Sequence, residues 1–209
     1  MKYLVLIGDV LGSRQLPARA QFQRRLHQSL QTLNRRRPTL ASPYTLTLGD
    51  EFQAVYRDAA GLFADIFTLQ ALIAPVRARF AVAVGEIVTP INPQQAIGMD
   101  GPAFHRARAR LERLKKQGQL LGIHDAGETR WRLPSATLAV LSGLSEGWRQ
   151  KRLQVFAGLL EGATVAELAR QTKISPRAVN KNLRAADLDE WKHIVDEISR
   201  LLNEELKSR

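Results

Sequence analysis

Two short acidic stretches carry the chemistry most worth explaining in this chain. Asp9 follows Gly8 at the end of the apolar run YLVLIGDV, and Asp50 and Glu51 follow Gly49 inside TLTLGDEFQAVY. Carboxylates at the ends of buried strands suit a hard divalent cation. Magnesium takes oxygen ligands, commonly one or two carboxylates, and completes its shell with phosphate oxygens and water. Glycine lets a phosphate approach the backbone closely. Asp9, Asp50 and Glu51 are therefore candidate ligands for Mg2+ or Mn2+, with Gly8 and Gly49 as candidate phosphate contacts. Gly-Asp is also ordinary turn chemistry. One such pair alone would be read as a turn; its repetition at two apolar strands brings a site level with that reading.

Two further segments bear chemistry. GPAFHRARARLERLKK is a basic helix on which Arg106 and Arg110 lie one turn apart, with Arg108 pointing elsewhere. Arg106 and Arg110 could grip a phosphate with paired N–H groups; a solvated face on which Glu112 pairs locally is an equal alternative. His105 reads as a surface or structural histidine. TVAELARQTKISPRAVNKNL has the layout of a helix-turn-helix: Thr164 and Ser175 as caps, Pro176 opening the second helix, and Val165, Leu168, Ala169, Val179 and Leu183 facing inward. Ser175, Arg177, Asn180, Lys181 and Arg184 are its expected DNA contacts, by base edge and phosphate in the major groove. Residues 151–186 carry seven basic and two acidic side chains, net +5, which suits a phosphate-facing module. A three-helix cluster for protein contacts is the plainer alternative.

These residues need elements to hold them. Tyr3–Val10 reads as a buried strand, and the segment from Pro17 to about Arg35 as a helix with Phe22, Leu26, Leu30 and Leu33 inward. Tyr44–Leu48 and Phe52–Tyr56 form a hairpin, Ala59–Ile73 a second helix, and Val76–Val88 a long strand. The order is strand, helix, strand, strand, helix, strand, which predicts an α/β (α+β) fold. Its first part is a ferredoxin-like βαββαβ palm domain with two helices on one face, followed by an all-α helix-turn-helix domain. The basic helix from about Ala103 to Lys116 comes next, and LLGIH and TRWRL read as a last strand pair around the turn DAGE. The expected division is a palm over 1–133, a helical connector over 134–150 and a helix-turn-helix unit over 151–209. The final helix shows Leu188, Trp191, Ile194, Val195, Ile198, Leu201 and Leu202, a core face that could also be the seam of a homodimer.

The net charge of +11 favours polyanionic partners, nucleotides or nucleic acid. The absence of cysteine excludes disulfides, thiolate metal sites and thiol nucleophiles. No stretch reaches the ~20 apolar residues of a membrane span, so no membrane partner and a cytoplasmic location are expected.

The succession GD…LGDEF, AVAVGEI and GPAFHRARARL resembles the palm of class III nucleotide cyclases, and GDEF is similar to the signature hairpin of diguanylate cyclases. Over nearly the whole chain, IGDV…SR, LGDEFQ, VGEI and GPAFHRAR resemble the SatD family, bacterial proteins that pair such a region with a helix-turn-helix. The resemblance implies metal-binding roles for Asp9 and Asp50, with Glu51 beside them. It also adds Ser13 and Arg14 to Gly8, Gly49, Arg106 and Arg110 as expected nucleotide or phosphate contacts. Several cyclase positions depart from the pattern. His105 and Ala109 stand where an asparagine and a transition-state arginine would, Leu46 falls near the purine-reading lysine, and Leu48 replaces the first glycine of the diguanylate hairpin.

The expected function is a DNA-binding transcriptional regulator with a nucleotide- and metal-binding sensor domain. The alternatives are a magnesium-dependent nucleotidyl cyclase or transferase localised by its helix-turn-helix, and an interaction adaptor with a vestigial site.

Overall fold

In the computed structural model, which describes residues 1–124 and 128–208, β1 (Lys2–Val10) is the central strand of the sheet. Its apolar residues run without a break, so both faces can be buried. Leu4, Leu6 and Val10 enter one apolar cluster, and Val5 and Ile7 enter another. β2 (Ser42–Leu46) pairs with β3 (Glu51–Tyr56), and β3 and β4 (Ala78–Glu86) flank β1, all antiparallel. β5 (Leu121–Ile123) lies parallel to β4, giving the order β2-β3-β1-β4-β5.

On the first face, α1 (Arg19–Arg36) lays down Phe22, Leu26, Leu30 and Leu33 as one helical stripe. α2 (Leu62–Ile73) buries every residue except Leu72, the pattern of a helix covered on all sides. α3 (Pro102–Gln117) packs on the opposite face through Ala103, Phe104, Ala107, Leu111 and Leu114. It can sit that close because Gly85 of β4 lacks a side chain: a Cβ there would lie 2.9 Å from the Ala103 backbone nitrogen. The two helices expected on one face are thus joined by a third on the other.

The remaining helices extend the first face. They are α4 (Thr129–Glu146), α5 (Gln150–Leu160), α6 (Val165–Thr172), α7 (Pro176–Ala185) and α8 (Leu188–Lys207). Phe67 of α2 meets Phe156 of α5 edge-on at 4.7 Å between ring centres, with Trp148 at 6.0 Å. A single apolar cluster therefore runs from the sheet through α2 into α5, α6, α7 and α8. Leu188, Val195, Ile198 and Leu202, the stripe that could have been a dimer seam, are spent inside it.

The molecule is a mixed α/β structure. One expected element is corrected: TRWRL is not a strand but the opening of α4. Trp131, Pro134, Leu138 and Leu141 are its buried apolar residues, and that spacing is helical. Five residues of TRWRL alone are too few to show it. Most of the expected turn DAGE, residues 125–127, lies outside the described residues. Among the described residues no helix is long and apolar enough to cross a membrane.

Candidate functional site

The register of the sheet brings the acidic stretches together. Asp9 faces Glu51 across β3 on one side and Arg79 across β4 on the other. One residue on, the Val10 N–H donates to the Asp50 carbonyl at 3.3 Å. The alternation of β1 turns Asp9 to the same face as Val5 and Ile7, beneath α3. The hairpin tip closes on Leu48, whose carbonyl accepts from the N–H groups of Asp50 at 2.7 Å and Glu51 at 3.0 Å. Gly49 sits between them at φ 64°, a left-handed conformation in which glycine carries no steric penalty. Beyond β1 the chain makes a short 3-10 turn, Ser13–Gln15, that buries Ser13, whose Oγ donates to Asp50 Oδ2.

Like charges in register destabilise a strand pair, and opposite charges offset that. Arg79 Nη1 reaches Asp9 Oδ2 at 3.4 Å. Arg108 of α3 takes both oxygens of Glu51, through Nη2 to Oε1 at 2.6 Å and through Nη1 to Oε2. Burial, with the charges of Asp50 and Glu51, pushes the Asp9 carboxyl above its ordinary value against the pull of Lys115 and Arg79. The Arg108 guanidinium is raised by its hydrogen bonds to Glu51. Among the described residues, Asp9 and Asp50 each engage a side chain through one oxygen. Glu51, expected as a third metal ligand, is paired here with Arg108. Among the described residues no group of three or more His, Cys, Asp or Glu side chains could hold a metal ion. A cation here would take two carboxylates from the chain and the rest of its shell from phosphate and water, as magnesium does.

The expected phosphate contacts separate into two groups. Ser13 and Gly49 stand at Asp50, and Arg14 is exposed on the 3-10 turn beside Ser13. Gly8 is corrected: it pairs with Phe52, and a Cβ on it would lie 2.1 Å from the Phe52 ring, so its bareness accommodates an aromatic ring and not a phosphate. Arg106 is corrected as well. Its Nη1 donates to the Val84 carbonyl at 3.0 Å, and Val84 pairs with Leu4. Leu4 is five residues before Asp9 along β1, roughly 17 Å at the rise of a strand. Arg110 is buried with its guanidinium over Gly122 of β5, where a Cβ would lie 2.4 Å from Nε.

Three cations at the acidic end, Arg79, Arg108 and Lys115, were not expected. Arg108 and Lys115 are seven residues apart, two turns of one helix face. The buried residues of α3 fix its rotation so that this face, not that of Arg106 and Arg110, overlooks β1 and β3. The apolar spacing of α3 carried that rotation, but the strand it would overlook could not be read from the helix alone. His105 is exposed and pairs with Asp100 at 2.8 Å.

These features define a mixed α/β protein with neighbouring aspartates and several cations at one end of its central strand. The chain belongs to the SatD family, whose model matches residues 3–194. Among solved structures it is similar to a bacterial light-regulated adenylyl cyclase, at 13% identity and a TM-score of 0.45, over 59% of this chain and 43% of that one. The chain thus spans less than half the length of that cyclase. No curated protein matches it.

The DNA-binding transcriptional regulator expected from the C-terminal pattern is corrected: the family match over residues 3–194 is to SatD, and it brings no DNA-binding role with it. The physical basis of that pattern is local. Thr164 and Glu167 form a reciprocal capping box, Lys173 takes the left-handed conformation after α6, and Ser175 caps α7. Leu168, Val179 and Leu183 are buried in the shared core. Caps, turn and inner face therefore report how α6 and α7 fold onto their neighbours, without bearing on DNA. Ser175, Arg177, Asn180, Lys181 and Arg184 are exposed residues at and along α7, and Asn180 Nδ2 donates to the Pro176 carbonyl of its own helix.

Proposed function

We propose that the chain is a metal-dependent nucleotide-binding enzyme of the nucleotidyl cyclase or transferase class, built on a ferredoxin-like palm. The strand order β2-β3-β1-β4, with α1 and α2 on one face, supports the palm reading. The observation that carries the function is the placement of Asp50 next to Asp9: Glu51 pairs with Asp9 in the sheet, and the Val10 N–H donates to the Asp50 carbonyl. Asp9 and Asp50 would hold Mg2+ or Mn2+, which would supply positive charge to a bound polyphosphate.

The chain's own groups have definable tasks. Ser13 orients the Asp50 carboxylate through Oδ2. Arg79, Arg108 and Lys115 place positive charge around the acidic pair, where a polyphosphate would otherwise be repelled. Glu51 holds Arg108 in place by a two-point contact until a phosphate competes for it. The reaction class is displacement at an α-phosphorus: a hydroxyl oxygen bonds to phosphorus, the bond to the bridging oxygen breaks, pyrophosphate departs, and the hydroxyl proton passes to water.

Incubation with the four nucleoside triphosphates and Mg2+ or Mn2+, with products separated by chromatography, tests the reading. Pyrophosphate release by the wild type, lost in Asp9→Ala, is the expected result. Release that survives Asp9→Ala, or no release from any triphosphate, would overturn it.

A further inference from the structure

An exposed apolar strip lies along α4. Leu133 is 75% exposed, Val140 57% and Leu144 52%. Residues seven apart return to one helix face, so Leu133 with Val140, and Thr137 with Leu144, make the strip continuous. Single exposed apolar side chains are ordinary, whereas a contiguous patch marks a contact. From Leu133 to Ser145 the sequence has no charged residue. Ala136 is exposed on the same helix, and a Cβ on Gly143 would meet nothing within 4 Å, so another helix can approach closely.

The N-terminal half of the strip borders an open hollow of about 440 Å3 between α4 and α8. Leu133, Pro134 and Thr137 line it from α4, and Ile194, Ile198 and Leu201 from α8. Its charged members, Arg130 and Glu197, already pair with Glu128 at 3.4 Å and Arg200 at 2.9 Å, and His193 is exposed. What is left to cover is apolar. The protruding Leu144 stands at the other end of the helix, roughly 16 Å from Leu133 at the rise of an α-helix.

The charges that bound the strip are ordered too. Arg132 precedes it and Glu146 follows it; both are exposed, and neither is held in an ion pair among the described residues. A helix face with a basic start, an apolar middle and an acidic end is complementary to itself run backwards. Across a two-fold axis residue i meets residue j and j meets i, so Arg132 of each copy faces Glu146 of the other. A parallel pairing would set arginine on arginine and glutamate on glutamate.

We infer that two copies of this chain associate through α4, antiparallel about a two-fold axis midway between Arg132 and Glu146, with Leu144 of each copy seated in the α4–α8 hollow of the other. The inference uses α4 and α8 alone and does not depend on the acidic pair of β1 and the hairpin. At about 27 Å long and 10 Å across, α4 with the adjoining turns of α8 offers roughly 400–500 Å2 per copy, the low end for specific contacts. The association is therefore reversible and is read over a concentration series.

Sedimentation velocity of the full chain from micromolar to millimolar concentration tests it. The wild type should move from the 23.4 kDa monomer toward twice that mass as concentration rises. Leu144→Glu should raise the dissociation constant at least about tenfold by charging the side chain that fills the hollow. Arg132→Glu and Glu146→Arg should each weaken association about tenfold at low salt, since symmetry reverses two pairs at once. An equimolar mixture of those two variants should dimerise as the wild type does, because every facing pair is then of opposite sign. All three substitutions fall at exposed positions of α4, and unchanged circular dichroism separates lost association from lost folding. The inference is overturned if the wild type stays monomeric throughout, as it would were the strip to cover a different protein or a membrane. It is equally overturned if Leu144→Glu dimerises like the wild type, or if the mixture associates no better than either charge variant alone.

Discussion

Replacing Gly8 by alanine tests whether that glycine serves packing or phosphate. The added methyl would lie 2.1, 2.3 and 2.8 Å from three carbons of the Phe52 ring, against the ~3.5–4 Å of an unstrained carbon contact. Phe52 is fully buried and leans on Phe80 at 5.7 Å and Tyr44 at 6.4 Å between ring centres, so the ring has nowhere to retreat without moving a second aromatic. Overpacking of this kind costs about 1–3 kcal/mol, while removing a strand glycine returns roughly 0.5–1 kcal/mol. The balance is a loss of up to about 2.5 kcal/mol, or a melting temperature lower by as much as roughly 5–10 °C for a chain of this size. Thermal and urea unfolding measure it. The double variant Gly8→Ala with Phe52→Leu should melt above the sum of the two single effects, because the smaller side chain vacates the clash. A Gly8→Ala protein that melts like the wild type yet loses nucleotide affinity would refute the packing argument and return Gly8 to the phosphate.

Three other outcomes follow from the same contacts. Asp65 is fully buried, with Arg37 at 3.2 Å and the Tyr56 hydroxyl donating at 2.9 Å, and burial pushes its carboxyl up to about 6. Its folded value lies above the unfolded one of about 3.9, so the native state holds the proton more tightly and this group's contribution to stability falls as pH rises from about 4 to 6, by about 3 kcal/mol. Urea midpoints between pH 4 and 7 should show that decline in the wild type and a flatter curve in Asp65→Asn; equal slopes would count against it. Arg108→Ala should weaken triphosphate binding about tenfold by calorimetry while costing under about 1 kcal/mol of stability, since its guanidinium is well exposed. Thr164→Ala should cost about 1 kcal/mol by opening the capping box with Glu167, read as a lower urea midpoint with an unchanged slope.

Much of the fold was legible because the informative periods were long. The apolar run of β1, the stripe of α1 and the paired strands around Gly49 each span enough residues to fix element and face. α2 was readable as a helix, but its all-round apolarity was the sign that a second layer of helices must cover it, and Phe156 and Trp148 supply that cover. TRWRL misled because five residues cannot distinguish alternation from a helical turn. At the candidate site, the acidic residues could be named from their places at strand ends. Their cationic partners could not, because Arg108 and Arg79 meet Glu51 and Asp9 across 57 and 70 residues of chain. The α7 pattern shows the converse limit: good capping and an apolar inner face describe a well-folded helix pair, and its exposed face carries no partner's name.

The central claim is that Asp9 and Asp50 jointly hold a divalent cation together with a nucleotide. Titration of Mn2+ into the full chain, with and without a non-hydrolysable nucleoside triphosphate, followed by electron paramagnetic resonance of the free ion, tests it most directly. The account predicts one bound Mn2+ per chain whose affinity rises with nucleotide and is lost in both Asp9→Asn and Asp50→Asn while their circular dichroism is unchanged. Equal Mn2+ uptake by the wild type and both variants, or none by any of them, would contradict it.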